Sequence, residues 1–187
     1  MIAEEINNAL AVLRDRKSLL YPTDTVWGIG CDATSEEAVA KVFEIKQRAE
    51  CKSLVILVDS FEMLQKYIPK VPKSVIELLS KATNPTTIIY ENPVGLAKNV
   101  VAADNTVAIR MVQHEFCREL IRLFGKPIVS TSANISGRST PKSFKEIEES
   151  ILDSVDYVVN LQRDEANEKS STILKVSEKG EITVLRD

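Results

Sequence analysis

The stretch Ser18 to Arg48, SLLYPTDTVWGIGCDATSEEAVAKVFEIKQR, decides the fold. Ser18-Leu19-Leu20-Tyr21 is an apolar run of strand length, and Pro22 stops it because proline cannot donate to a strand ladder. Thr23 to Asp32 is rich in hydroxyls and glycines and reads as loop plus strand. Thr34 or Ser35 can cap a helix that opens on Glu36 and Glu37. Ala38, Val39, Val42, Phe43 and Ile45 continue that helix as an apolar stripe reaching Lys46. A short buried strand followed by loop, strand and helix is the grammar of an α/β domain.

The same alternation extends outward. Upstream, Ile2, Ile6, Ala9, Leu10 and Leu13 share one helical face. Downstream, strands are expected at 53–58, 86–90, 106–110, 127–130, 157–159, 171–176 and 182–185. Helices are expected to open at Ser60 and Pro72 and to run from Glu115 to Phe124, with Gly125 as C-cap, and from Ser143 to Leu152. The last strands fall close together, which favours a mixed sheet over a purely parallel one. The expectation is one α/β (α+β) domain over residues 1–187, a large twisted mixed sheet flanked by helices.

Composition narrows the function. The chain has 187 residues, 44% hydrophobic and 27% charged, so a packed core is expected and wholesale disorder is not. A formal charge of -3 provides no global basic field for nucleic acid, so contact with a polyanion must be local. Cys31, Cys51 and Cys117 are scattered, which supports neither a disulfide framework nor a zinc site. No apolar run approaches the roughly 20 residues of a spanning helix, and Met1 to Glu5 does not read as a signal peptide. A cytoplasmic protein is the expectation. His114 is the one histidine, a poor basis for His-centred catalysis.

Three polar segments stand out. Tyr21 to Thr25 is, taken alone, an ordinary capped turn. Lys46, Arg48 and Lys52 read either as a solvated helix end or as a cationic cluster suited to a polyphosphate. Ser130 to Gly137 follows a strand with small hydroxyl and amide side chains, either an exposed turn or a ligand loop. Neither GxxxxGK[ST] nor GxGxxG is present, so any nucleotide binds outside the two commonest phosphate loops. Cys51 beside Lys52 reads as structural.

Together these segments resemble the YrdC-like family of threonylcarbamoyl-AMP synthases. The resemblance is carried by YPTDTVWGIGCDA at 21–33, EEAVAKVFEIKQR at 36–48, TVAIRM at 106–111, KPIVSTSANISG at 126–137, SSTIL at 170–174 and the terminal VLRD. It implies a YrdC-like fold with a concave, positively charged pocket. It also implies a nucleotidyltransferase making threonylcarbamoyl-AMP and pyrophosphate from L-threonine, bicarbonate and ATP, with Mg²⁺ accompanying the triphosphate. Partner proteins would then transfer the threonylcarbamoyl group to tRNA beside the anticodon, and tRNA contact by this chain would be indirect or weak.

The resemblance further implies roles for particular residues. Lys46 and Arg48 would act on the phosphates as catalytic cations. Arg48, Lys52, Thr106, Ser132, Asn134, Thr140 and Arg186 would hold ATP. Thr25, Arg110, Ser130 and Ser171 would hold threonine, and no side chain is expected to ligate a resident metal. The sequence departs from the family pattern at Ala49 and Ser53, where prolines are usual, at Met111-Val112 after Arg110, and at the apolar Leu57. The short form, without a C-terminal extension, is the closer match. Two other readings stay open: an RNA-binding module, and a paralogue that keeps the fold without synthase activity.

Overall fold

The structure is a computed structural model that describes residues 1–49 and 54–187. Cys51, Lys52 and the first residue of the strand expected at 53–58 therefore lie outside the described residues. Among the described residues nine strands form one sheet in the order β7-β1-β2-β6-β3-β5-β4-β8-β9. They are β1 (Leu19–Tyr21), β2 (Gly28–Gly30), β3 (Val55–Val58), β4 (Thr86–Glu91), β5 (Thr106–Met111), β6 (Ile128–Ser132), β7 (Tyr157–Val158), β8 (Thr172–Val176) and β9 (Ile182–Arg186). Three pairs are parallel (β1 with β7, β3 with β5, β4 with β8) and the other five antiparallel, giving the mixed sheet that the spacing implies.

Local chemistry explains the helices. In α1 (Ile2–Arg14) the buried residues are Ile6, Ala9, Leu10 and Leu13, one face of a 3.6-residue repeat. Helix α2 (Glu36–Ile45) is capped by Ser35, whose Oγ accepts from the Ala38 N–H at 3.2 Å. Ser60 does the same for α3 (Phe61–Tyr67), while α4 (Lys73–Lys81) follows Pro72. Helix α5 (Glu115–Phe124) buries Phe116, Cys117, Leu120 and Ile121 and ends at Gly125, whose φ of 74° a side chain would oppose. Each leucine, isoleucine or phenylalanine so buried contributes about 2 kcal/mol.

Two expectations need correction. The stretch expected as one helix over 143–152 is a 3₁₀ turn, Phe144–Glu146, then a separate α6 (Glu149–Ser154). Ile147 and Glu148 between them are extended, because Ile147 is drawn into the core and the Glu148 carboxylate pairs with Arg138. Strand β6 also runs two residues beyond Ser130, since Thr131 and Ser132 pair with Ile29 and Gly28. Among the described residues no helix is long and apolar enough to cross a membrane.

Candidate active site

The β1–β2 connection, the end of β6, the C-terminus of α2 and the strands β5, β8 and β9 converge on a cavity of about 420 Å³. Glycines let the wall form. A Cβ at Gly30 would stand 2.5 Å from the Val129 carbonyl oxygen and 2.5 Å from Tyr21 Cε1, so only hydrogen fits where β2 crosses β6. Tyr21 is fully buried there, its hydroxyl donating to Val129 O at 2.8 Å, and burial pushes its pKa well up.

Arg110 is the buried cation of the cavity, 5% exposed. Its Nη2 lies 3.1 Å from Asp24 Oδ1 and donates to Thr25 Oγ1 at 3.2 Å. Asp24 Oδ2 accepts from the Gln113 N–H at 3.0 Å. The Arg110 Nε–H is buried with no partner among the described residues, a donor suited to a carboxylate. Ser130 adjoins this group, and across the cavity Ser171 accepts from Thr87 and receives Arg186 on its carbonyl at 2.7 and 3.1 Å.

Arg48 enters from the end of α2. Gln47 takes a left-handed φ of 49°, and the N–H groups of Gln47 and Arg48 close back on Glu44 O and Phe43 O, turning Arg48 to the cavity. Lys142, Lys169 and Arg186 complete the cationic lining. Its one carboxylate among the described residues, Glu168, is 3.4 Å from Lys142.

Of the residues singled out in the sequence, Thr25, Arg48, Arg110, Ser130, Ser132, Thr140, Ser171 and Arg186 line this one cavity. Three residues are placed differently. Lys46 does not face the cavity. It is 1% exposed beneath the 132–136 loop, donating to Ser132 O (2.6 Å), Asn134 O (2.8 Å) and Asn134 Oδ1 (3.3 Å). Burial, with the charge of Arg48 second, lowers its pKa to about 8. Asn134 is turned inward as well, its amide donating to Arg138 O at 2.8 Å and its Oδ1 accepting from Ser132 Oγ. Thr106 is not among the lining residues, and its hydroxyl donates to Asp104 at 2.6 Å in the turn before β5.

Sequence reasoning passed over Thr23, Asp24, Lys142 and Lys169. The first two were legible only as turn residues, because their partners lie on other elements. His114 lines a second cavity of about 550 Å³ behind the Thr25–Trp27 wall, with Nε2 2.6 Å from Gln162 Oε1. Cys117 is buried and its pKa is pushed well up by that burial, which disfavours a thiolate. Among the described residues no group of three or more His, Cys, Asp or Glu could hold a metal ion.

The fold and the cavity define a class: mixed-sheet α/β domains in which arginines, lysines and hydroxyls line one cavity at the sheet. The chain belongs to the Sua5/YciO/YrdC family, described as "Telomere recombination", which residues 11–187 match. It is 33% identical over 155 residues to the threonylcarbamoyl-AMP synthase of Pseudoalteromonas translucida, covering 81% of this chain and 83% of that protein. The enzyme of the same name from Klebsiella pneumoniae is 33% identical over 159 residues, 83% and 84% of the two chains. Sua5 of P. abyssi complexed with L-threonine superposes with a TM-score of 0.85 at 30% identity, covering 97% of this chain and 53% of that one, about half its length. Escherichia coli YciO, at 20% identity and TM-score 0.83, shares the fold.

Proposed function

We propose that this chain is a threonylcarbamoyl-AMP synthase, joining L-threonine, bicarbonate or CO₂, and ATP with release of pyrophosphate. The observation that carries the reading is the buried Arg110 Nε–H, without a partner beside Thr25, in a cavity whose other walls bring Arg48, Lys142, Lys169 and Arg186. One region suits an amino-acid carboxylate and the other a triphosphate. Relatives named for this synthesis, and a neighbour complexed with L-threonine, support it.

The chemistry asks little of the protein. The threonine nitrogen attacks the carbon of CO₂ and loses a proton, giving a carbamate. A carbamate oxygen then attacks the α-phosphorus, and the bond to pyrophosphate breaks. Arg110 holds the carboxylate, which fixes the nitrogen in place. Arg48 and Arg186 balance the charge growing on the leaving group. Ser130 and Ser132 offer hydroxyls along β6, and Lys46 and Asn134 hold the loop that carries Ser132. Mg²⁺ would come with the nucleotide as part of that substrate and would neutralise phosphate charge there; among the described residues the lining carries one carboxylate, Glu168. The adenylate then serves partner proteins that modify tRNA.

The test is pyrophosphate release from ATP with L-threonine and bicarbonate omitted in turn. Release that depends on both supports the assignment. Release that ignores either one rejects it.

A further inference from the structure

Thr23 is 5% exposed and does not line the main cavity; it borders the second one behind it. Its hydroxyl nevertheless decides what Thr25 offers a ligand. We propose that Thr23 is a positioning residue that makes Thr25 an acceptor-only contact, matched to the α-amino group of the amino-acid substrate. The inference rests on reading the cavity as a threonine site.

The argument is a count of protons and lone pairs. Thr23 Oγ1 is 2.8 Å from Val26 O, a carbonyl that can only accept, so the single Thr23 hydroxyl proton is used there. The same oxygen accepts from the Thr25 N–H at 3.0 Å. Thr23 Oγ1 and Thr25 Oγ1 are 3.1 Å apart. With the Thr23 proton already used, Thr25 must be the donor in that contact. Thr23 is then saturated, one donor and two acceptors. Thr25 has given up its proton and receives Arg110 Nη2 at 3.2 Å on one lone pair. What remains on Thr25 Oγ1 is one lone pair at the cavity wall, which can only accept.

A ligand group meeting that lone pair must carry N–H or O–H. A carboxylate on the Arg110 Nε–H would present its α-carbon beside Arg110 Nη2, the donor that holds Thr25. The α-amino group is one bond closer to that point than the β-hydroxyl. It still carries N–H after it becomes a carbamate, so the contact can persist from substrate to intermediate. Acids with a donor on the α-carbon are thereby favoured over those, such as 3-hydroxybutanoate, that carry none there.

The experiment measures binding of L-threonine and of 3-hydroxybutanoate, which keeps the carboxylate and the hydroxyl but lacks the amine. The proteins are wild type, Thr23→Val, Thr23→Ser and Thr23→Ala, each with its urea midpoint. Thr23→Val keeps the shape and removes the oxygen, and should weaken L-threonine about tenfold, the loss of one hydrogen bond. Thr23→Ser should bind close to wild type, and Thr23→Ala should follow Thr23→Val. Affinity for 3-hydroxybutanoate and the KM for ATP should not move. If Thr23→Val fails to fold, the Ser and Ala variants decide, since both lack the methyl and differ in the hydroxyl alone. L-threonine binding unchanged in the folded Val and Ala variants, Thr23→Ser as weak as Thr23→Ala, or an equal loss for both ligands would each overturn the inference. A wild-type protein that binds no L-threonine would instead overturn the reading of the cavity, and this inference with it.

Discussion

Replacing Lys46 by methionine separates a loop latch from a phosphate ligand. The substitution keeps the methylene stem and removes the ammonium. It leaves Ser132 O and Asn134 O without the donor that reaches them at 2.6 and 2.8 Å, while Asn134 Oδ1 keeps Ser132 Oγ. Each orphaned carbonyl costs about 1–3 kcal/mol. Against this stands relief from a buried charge. A pKa lowered from 10.5 to about 8 corresponds to about 3 kcal/mol against the charged form. The orphaned carbonyls narrowly win, so at pH 7 the variant should be less stable by about 1–2 kcal/mol. The sign of the pH effect follows from linkage. Between about 8 and 10.5 the unfolded chain holds a proton on this amine that the folded one has lost. Wild-type stability from this group therefore rises with pH across that window and is lost as pH falls through about 8. The gap between wild type and variant should widen by up to about 3 kcal/mol as pH goes from 7 toward 10.5. Urea unfolding followed by the single tryptophan, Trp27, packed 5.0 Å from the Phe144 ring, reads both numbers. A gap that stays constant with pH, or a variant as stable as wild type with only its KM for ATP raised, would refute the latch.

Three further outcomes are expected. Gly30→Ala forces a Cβ to within 2.5 Å of the Val129 carbonyl oxygen, and should lower stability by about 3 kcal/mol, seen as a melting temperature about 10 °C lower. Arg110→Lys keeps the charge but has no Nε–H fork, so L-threonine affinity should fall about 10–100-fold with a smaller change in the KM for ATP, and unchanged L-threonine binding by calorimetry would contradict the carboxylate role. Arg48→Ala should abolish pyrophosphate release while leaving the urea midpoint near that of wild type. Retained release that depends on threonine and bicarbonate would reject Arg48 as the phosphate cation.

What could be read in the sequence was local. Ser35 before Glu36 and Glu37, and Gly125 after Phe124, mark helix ends by groups that satisfy backbone within one turn. What could not be read needed a partner from elsewhere. The spacing of Lys46 and Arg48 shows two cations at a helix end, but not that the helix C-terminus turns one inward and the other outward. Asn134 looks like a ligand amide until Arg138 O and Lys46 are seen to take both of its ends. Thr106 shares the alternation of Arg110 along β5, yet lies at the opposite end of the strand, where Asp104 takes its hydroxyl. The extra length of β6 was hidden because Thr131 and Ser132 carry no apolar signal; their strand conformation comes from Ile29 and Gly28.

Arg186 rides on β9, an edge strand that among the described residues only β8 pairs with and whose last four residues are exposed. Edge hairpins open more readily than the middle of a sheet. When β9 peels away, it takes Arg186 off the Ser171 carbonyl, while Thr87 still holds the Ser171 hydroxyl, so one fluctuation strips a cation from the far wall. Ligand bound there and lost on opening would shift that equilibrium toward the closed hairpin by mass action. The amides of β8 and β9 should therefore exchange with deuterium more slowly as the cavity fills, so that occupancy of the centre is reported at the margin of the sheet.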